Sequence, residues 1–192
     1  MQTVDFIFVN TERNIAQILL GDIITGAEHG EDFNSHMAVR FPYINGYGNK
    51  IVEALANGVV FSDPDKYDID PKIAILTIDV TDDEYKLMSD EAVRLTEKKY
   101  AYGWKSDFVG FISDFISRRL ARWISILLGC DTDEVADCSE TATLILRKKA
   151  STFCCKFSAA QITPEFFFNR LLVAHFRGLV NISKAIIPDS NT

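Results

Sequence analysis

The sequence predicts an α+β fold, an antiparallel sheet packed against helices, and three observations lead there. Up to Val80 the chain is a series of short apolar or alternating runs separated by Gly, Pro and Asn, the pattern of strands and their connections. From Thr81 onward, apolar residues recur at helical spacing behind capping residues. The two signals are partly segregated along the chain, which opposes a parallel doubly wound sheet, where strands and helices alternate. At 192 residues, with no internal repeat or linker, the chain is expected to form a single domain over 1–192 with a substantial core.

Each element follows in order. "VDFIFV" is a short apolar strand, and "GDIITG" is a second one bounded by glycines. "SHMAVRF" alternates, and "NKIVEAL" follows after the turn residues "PYINGYGN", so 35–41 and 50–55 are expected to pair as antiparallel strands. Alternation places His36, Ala38 and Arg40 on one face and Met37, Val39 and Phe41 on the other. "NGVVFSD" and "KIAILTIDV" continue the sheet, the second as a nearly all-apolar central strand. "TDDE" at 81–84 is a capping box with Thr81 as N-cap and Glu84 at N3. Behind it Tyr85, Met88, Ala92 and Leu95 mark a helix over 82–99. A second helix or helix pair is expected over 106–128. A third begins at Asp137 and runs through "CSETATLILRKK", whose basic end suits a helix C-terminus. "TPEFFFNRLL" places Pro164 at N1 after Thr163, and the tail "VAHFRGLVNISKAII" reads as one or two strands.

Composition narrows the functional class. Apolar residues make up 47% and charged residues 24%, as in soluble globular proteins. A formal net charge of -7 argues against a broad nucleic-acid-binding surface. "MQTVDFIFVNTERN" has neither the basic nor the apolar region of a secretory signal. Cysteines 130, 138, 154 and 155 lack the spacing of a disulfide framework, so reduced thiols and a cytoplasmic location are expected. "DFVGFISDFISRRLARWISILLGC" is interrupted by Asp114, Arg118, Arg119 and Arg122, and no integral membrane span is expected. Its wide apolar face reads first as a core helix with a basic edge. The sharper alternative is a lipid- or acyl-chain-facing surface over 106–128.

Cys138 is the leading candidate for chemistry. It follows Asp137 at N1 of a helix, where backbone N–H groups and the helix dipole favour an anion, although Asp137 and Glu140 oppose that effect. A cysteine hydrolase needs an imidazole to pair with the thiolate and protonate the leaving group, and a polar group to orient that imidazole. His36 and Glu53 lie on strands expected to be neighbours, so Glu53 can reach a ring nitrogen of His36 and fix its tautomer. Taken singly, each residue has a plainer reading: an inert buried thiol, a packed or surface histidine, a solvent-facing glutamate.

The ordered set "GDIITG", "SHMAVRF", "NKIVEAL", "YAYGW", "DCSETATLIL" and "ITPEFFF" resembles the permuted papain-like hydrolases, the circularly permuted branch of the NlpC/P60 superfamily exemplified by the YiiX-like proteins. The resemblance spans about 21–168. It implies a permuted papain-like fold and cleavage of an amide bond in a peptide, isopeptide or N-acyl substrate. Cys138 would be the nucleophile, His36 the general base and acid, and Glu53 the residue orienting His36. By the same resemblance Tyr102 and Tyr100 are substrate or oxyanion contacts, Tyr102 slightly preferred, and Asp22 is a turn residue. It implies no cofactor. Two alternatives stand beside it: a non-catalytic binding or inhibitory module on the same fold, and a lipid or thioester acyl hydrolase. The acidic insertion "AEHGEDFN" before the histidine strand departs from many members.

Other motifs carry less. "GDIITGAE" lacks the Lys-Ser/Thr of a phosphate loop. The cysteine and histidine spacings do not suit zinc, so no metal is expected. "DPDKYDID" lacks the calcium-loop Gly and Glu and reads as a solvated loop, and "CDTDEVAD" reads as a polar lead-in to the Cys138 helix. His29 falls in an expected loop, while His175, expected in a late strand, is a fallback base.

Overall fold

The computed structural model describes residues 1–9, 36–55, 57–68, 73–98, 101–102, 135–154 and 162–186. Strand β1 (Gln2–Val9) is apolar over most of its length because both its faces are covered. It pairs antiparallel with β2 (His36–Ile44) on one side and with β5 (Ile73–Val80) on the other. From β2 the chain turns back into β3 (Gly48–Leu55) and again into β4 (Gly58–Ser62), completing the antiparallel half-sheet. Gly46 and Gly48, with φ of 83° and 73°, allow the first of these turns, since other side chains strain there. The register slips between Phe41 and Ile44, where Pro42 has no N–H to give the ladder.

The finished sheet has six strands in the order β4-β3-β2-β1-β5-β8, with β8 (Asn181–Ile186) on the outer edge beside β5. β5 is therefore interior, as its apolar sequence predicts. Two short strands, β6 (Ala101–Tyr102) and β7 (Val135–Ala136), form a separate parallel pair.

Three helices are present among the described residues: α1 (Asp82–Glu97), α2 (Cys138–Leu146) and α3 (Pro164–Phe176). Each begins as its capping residues dictate. Thr81 and Glu84 form a reciprocal capping box on α1. Asp137 caps α2 by accepting from the Glu140 N–H, and Thr163 caps α3 with Pro164 in its first turn. No described helix is long and apolar enough to cross a membrane.

Alternation divides the sheet into two unlike faces. Val4, Phe6, Phe8, Met37, Val39, Val52, Leu76 and Ile78 pack against Met88 and Leu95 of α1, Ile145 and Leu146 of α2, and Phe167 and Leu171 of α3. Phe167 anchors this core, its ring 5.3 Å from Phe6 and 5.0 Å from Phe153. Among the described residues, the opposite face carries a smaller apolar cluster of Ile7, Val9, Ala38, Ile51 and Ile73, with Tyr67 and Ile75 against it. Polar residues occupy the rest of that face. Arg40 binds Asp5 and Asp68, and Asp5 accepts from Thr77 at 2.7 Å.

The tail departs from its expected form. Val173–Phe176 complete α3 rather than begin a strand, and only Asn181–Ile186 is extended. Leu179 N–H bonds Ala174 O and Gly178 N–H bonds His175 O, the paired closure that a glycine at positive φ permits. Likewise α2 stops at Leu146, so Lys148 and Lys149 lie beyond it and bridge to Glu91 and Glu84 of α1. The "GDIITG" strand with Asp22, the 106–128 helix, His29, Tyr100, Cys130 and Cys155 lie outside the described residues.

Candidate active site

β2 and β3 set the first half of the site. Their register puts Ala38 opposite Glu53, and His36 lies two residues from Ala38 on the same face, diagonal to Glu53. That diagonal is within reach of long side chains, and His36 Nε2 stands 3.1 Å from Glu53 Oε2. The His36 side chain is 14% exposed and the Glu53 side chain is fully buried.

A buried carboxylate survives only if its oxygens are satisfied. Glu53 meets four donors. Oε2 accepts from His36 and, at 2.5 Å, from the Tyr67 hydroxyl. Oε1 accepts from Lys66 Nζ at 2.5 Å and from the Ser62 hydroxyl. An ionised carboxylate offers about four lone-pair sites, so Glu53 is saturated. Burial by itself would raise its pKa. The hydrogen bonds from His36, Lys66, Ser62 and Tyr67 outweigh burial and hold it far below the ordinary carboxylate range. Glu53 is thus an acceptor only, so Nε2 of His36 carries the proton it donates, and Nδ1 carries a lone pair when the ring is neutral.

Ser62 comes from β4, while Lys66 and Tyr67 come from the segment that follows it. That segment reads from sequence as a solvated loop, and Asp63, Asp65 and Asp68 are indeed exposed. Its Lys-Tyr pair nevertheless turns inward across the second face. No local motif signals this, because the partner of both residues lies more than ten positions upstream.

Cys138 is placed by α2. Asp137, nearly fully buried, accepts from Glu140 N–H at 2.6 Å, and the Ser139 hydroxyl lies 2.8 Å from the same oxygen. Ser139 also reaches the Ile162 carbonyl, tying the start of α2 to the residue before the α3 cap. The lead-in is not simply a polar loop, since β7 runs directly into Asp137. Tyr102 sits in β6 with its backbone opposite Ala136, two residues before Cys138.

The structure therefore joins His36 to Glu53 directly and holds Tyr102 beside the entry to α2. Cys138 is 6% exposed and packs on the helix-covered side of the sheet, whereas Glu53 and Tyr67 belong to the other side. Tyr67 links the two. Burial foremost, then the Glu53 charge, and then the Cys138 sulfur as a thiolate push its hydroxyl far above the ordinary phenol range. Tyr67 consequently stays protonated, a donor to Glu53. His175, the fallback base, is in α3 rather than a strand, and its Nδ1 accepts from Ile182 N–H at 3.1 Å. Compared with family models, curated proteins and solved structures, the chain gives no match.

Proposed function

We propose that the protein is a cysteine hydrolase of permuted papain-like architecture, cleaving an amide bond in a peptide, isopeptide or N-acyl substrate. The observation that carries this reading is the His36–Glu53 pair. A fully buried, saturated carboxylate holds one imidazole nitrogen and leaves the other available as base. The placement of Cys138 at the first turn of α2 supports it further. In this mechanism Nδ1 of His36 takes the Cys138 proton and the thiolate attacks the carbonyl carbon. Backbone N–H groups at the start of α2 stabilise the oxyanion. The imidazolium then protonates the leaving amine as the C–N bond breaks, and water releases the acyl group from sulfur. Tyr102 and Tyr100 remain the proposed substrate contacts.

A second reading, a non-catalytic binding module on the same fold, is favoured by the near-complete burial of Cys138 on the side of the sheet opposite Glu53. One experiment separates the two. Intact protein is treated with an iodoacetamide-type probe and with a library of peptide amides, N-acyl amides and acyl thioesters. Under the hydrolase reading Cys138 is labelled, and Cys138→Ala abolishes turnover by about three orders of magnitude or more. Hydrolysis undiminished in Cys138→Ala refutes the mechanism, and absence of labelling and of turnover in the wild-type protein favours the binding module. Preference for thioesters over amides would move the substrate class to acyl hydrolysis.

A further inference from the structure

Glu53 does two things that work against each other. It fixes His36, yet an isolated carboxylate at 3.1 Å would also hold the ring as an imidazolium, unable to accept a proton near neutral pH. A base needs a proton affinity matched to its working pH. A neutral orienting group would avoid the conflict, but the position here carries a full charge in a fully buried site.

The segment after β4 supplies a remedy. Lys66 brings its ammonium to Oε1, the oxygen that His36 does not use, and its side chain is 37% exposed. Among the described residues, the other groups bound to this pair do not supply a positive charge. From β4 comes the neutral Ser62 hydroxyl, and from the same segment as Lys66 comes Tyr67, which is uncharged. The cap and first turn of α2 hold Asp137, Cys138 and Glu140, none of which carries a positive charge. β1 presents Val9 beside His36, and the nearest opposite charges along β1 and β2, Asp5 and Arg40, are bound to each other. Among the described residues, Lys66 is the one cation on Glu53 besides His36 itself.

We infer that Lys66 is a positioning residue that balances the Glu53 charge from the side opposite His36, so that the imidazole keeps its orientation without being locked in its protonated form. This deepens the proposed hydrolase reading and takes its functional meaning from it. His36, Glu53 and Lys66 form a line of three groups in which the central anion is shared. Removing the outer cation leaves the whole negative charge to the imidazole, which raises the pH at which the ring gives up its proton. Replacing Lys66 therefore affects the state of His36 without touching either His36 or the thiol.

The test is an NMR titration of the full chain labelled with nitrogen-15 in histidine, with the His36 signals assigned by their loss in His36→Gln. It is run in the Cys138→Ala background, so that neither turnover nor a thiolate enters the result. Lys66→Met is expected to raise the His36 midpoint by about one pH unit, since a unit charge a few ångströms away has an effect of that order. Lys66→Gln, which keeps a hydrogen bond to Oε1 but no charge, is expected to give the same upward shift and serves where the methionine variant folds poorly. Lys66→Arg is expected to return the midpoint close to that of the starting protein. An unchanged or lowered midpoint in both neutral variants overturns the inference, as does a shift in Lys66→Arg equal to theirs. In an otherwise wild-type chain, the acid limb of kcat/KM should rise with Lys66→Met by the same amount. Should Cys138→Ala retain full hydrolysis, the cysteine mechanism falls while the titration still decides the role of Lys66.

Discussion

Two charged clusters share the face of the sheet opposite the described helices, and they are built on different plans. Around Arg40, one cation meets two anions: Asp5 at 2.9 Å and Asp68 at 2.7 Å. Arg40 and Asp5 are each 20% exposed. Around Glu53, one anion meets a lysine, a tyrosine, a serine and a histidine, and the anion is fully sealed from water. The first arrangement holds no histidine. The second holds a histidine by one ring nitrogen through a carboxylate that three further groups also bind.

Substitutions at the two centres should separate them. The largest effect is expected for Glu53→Ala, which leaves Lys66, Ser62 and Tyr67 without their common acceptor. Loss of one partner from a buried charged network costs about 3–5 kcal/mol, readable as a lowered denaturation midpoint. A loss below about 1 kcal/mol would mean that water replaces the carboxylate freely and that the site is open.

The pH dependence of Glu53→Gln comes next. Burial raises the Glu53 pKa, but its hydrogen bonds outweigh burial, so the folded value lies below the unfolded one. Stability from this group is therefore fully present above the unfolded carboxyl value of about 4.3 and is lost as pH falls toward the folded value. Glu53→Gln should flatten the acid limb of stability between about pH 4 and pH 2 relative to the wild-type chain. An identical acid limb in both would show that other carboxylates govern it. The smallest effect belongs to the first cluster. Arg40→Met is expected to cost about 1 kcal/mol, because the pair is partly solvated and Asp5 keeps its bond from Thr77. A cost approaching that of Glu53→Ala would erase the distinction.

Much of this was legible in the residues. Period-two alternation in "SHMAVRF" placed His36 and Arg40 on one face, and the β2–β3 pairing brought Glu53 to it. Capping residues located the starts of α1, α2 and α3 because a cap is decided within four residues. Helix ends were harder. α3 continues through Val173–Phe176, where Ala174 is buried and the chain closes at Gly178, neither of which the local composition of "VAHF" reveals. Lys66 and Tyr67 escaped notice for a similar reason: their surroundings are acidic and exposed, and only the folded sheet supplies the buried carboxylate that draws them in.

The strand order also has a consequence for how the chain reaches this state. β2, β3 and β4 are joined by tight turns and can pair as soon as they exist. β1 must wait, since its partners begin at His36 and Ile73, and the sheet is finished only when β8 arrives from beyond α3. A sheet dominated by such distant pairings is expected to fold on the millisecond-to-second scale rather than faster. Pulse-labelled hydrogen exchange should protect β3 amides before those of β1, and simultaneous protection would indicate a single concerted step. The His36–Glu53 contact spans β2 and β3 alone, so it belongs to the early hairpin. Its lid of Lys66 and Tyr67 can close as that hairpin extends, well before the helix bearing Cys138 is in place.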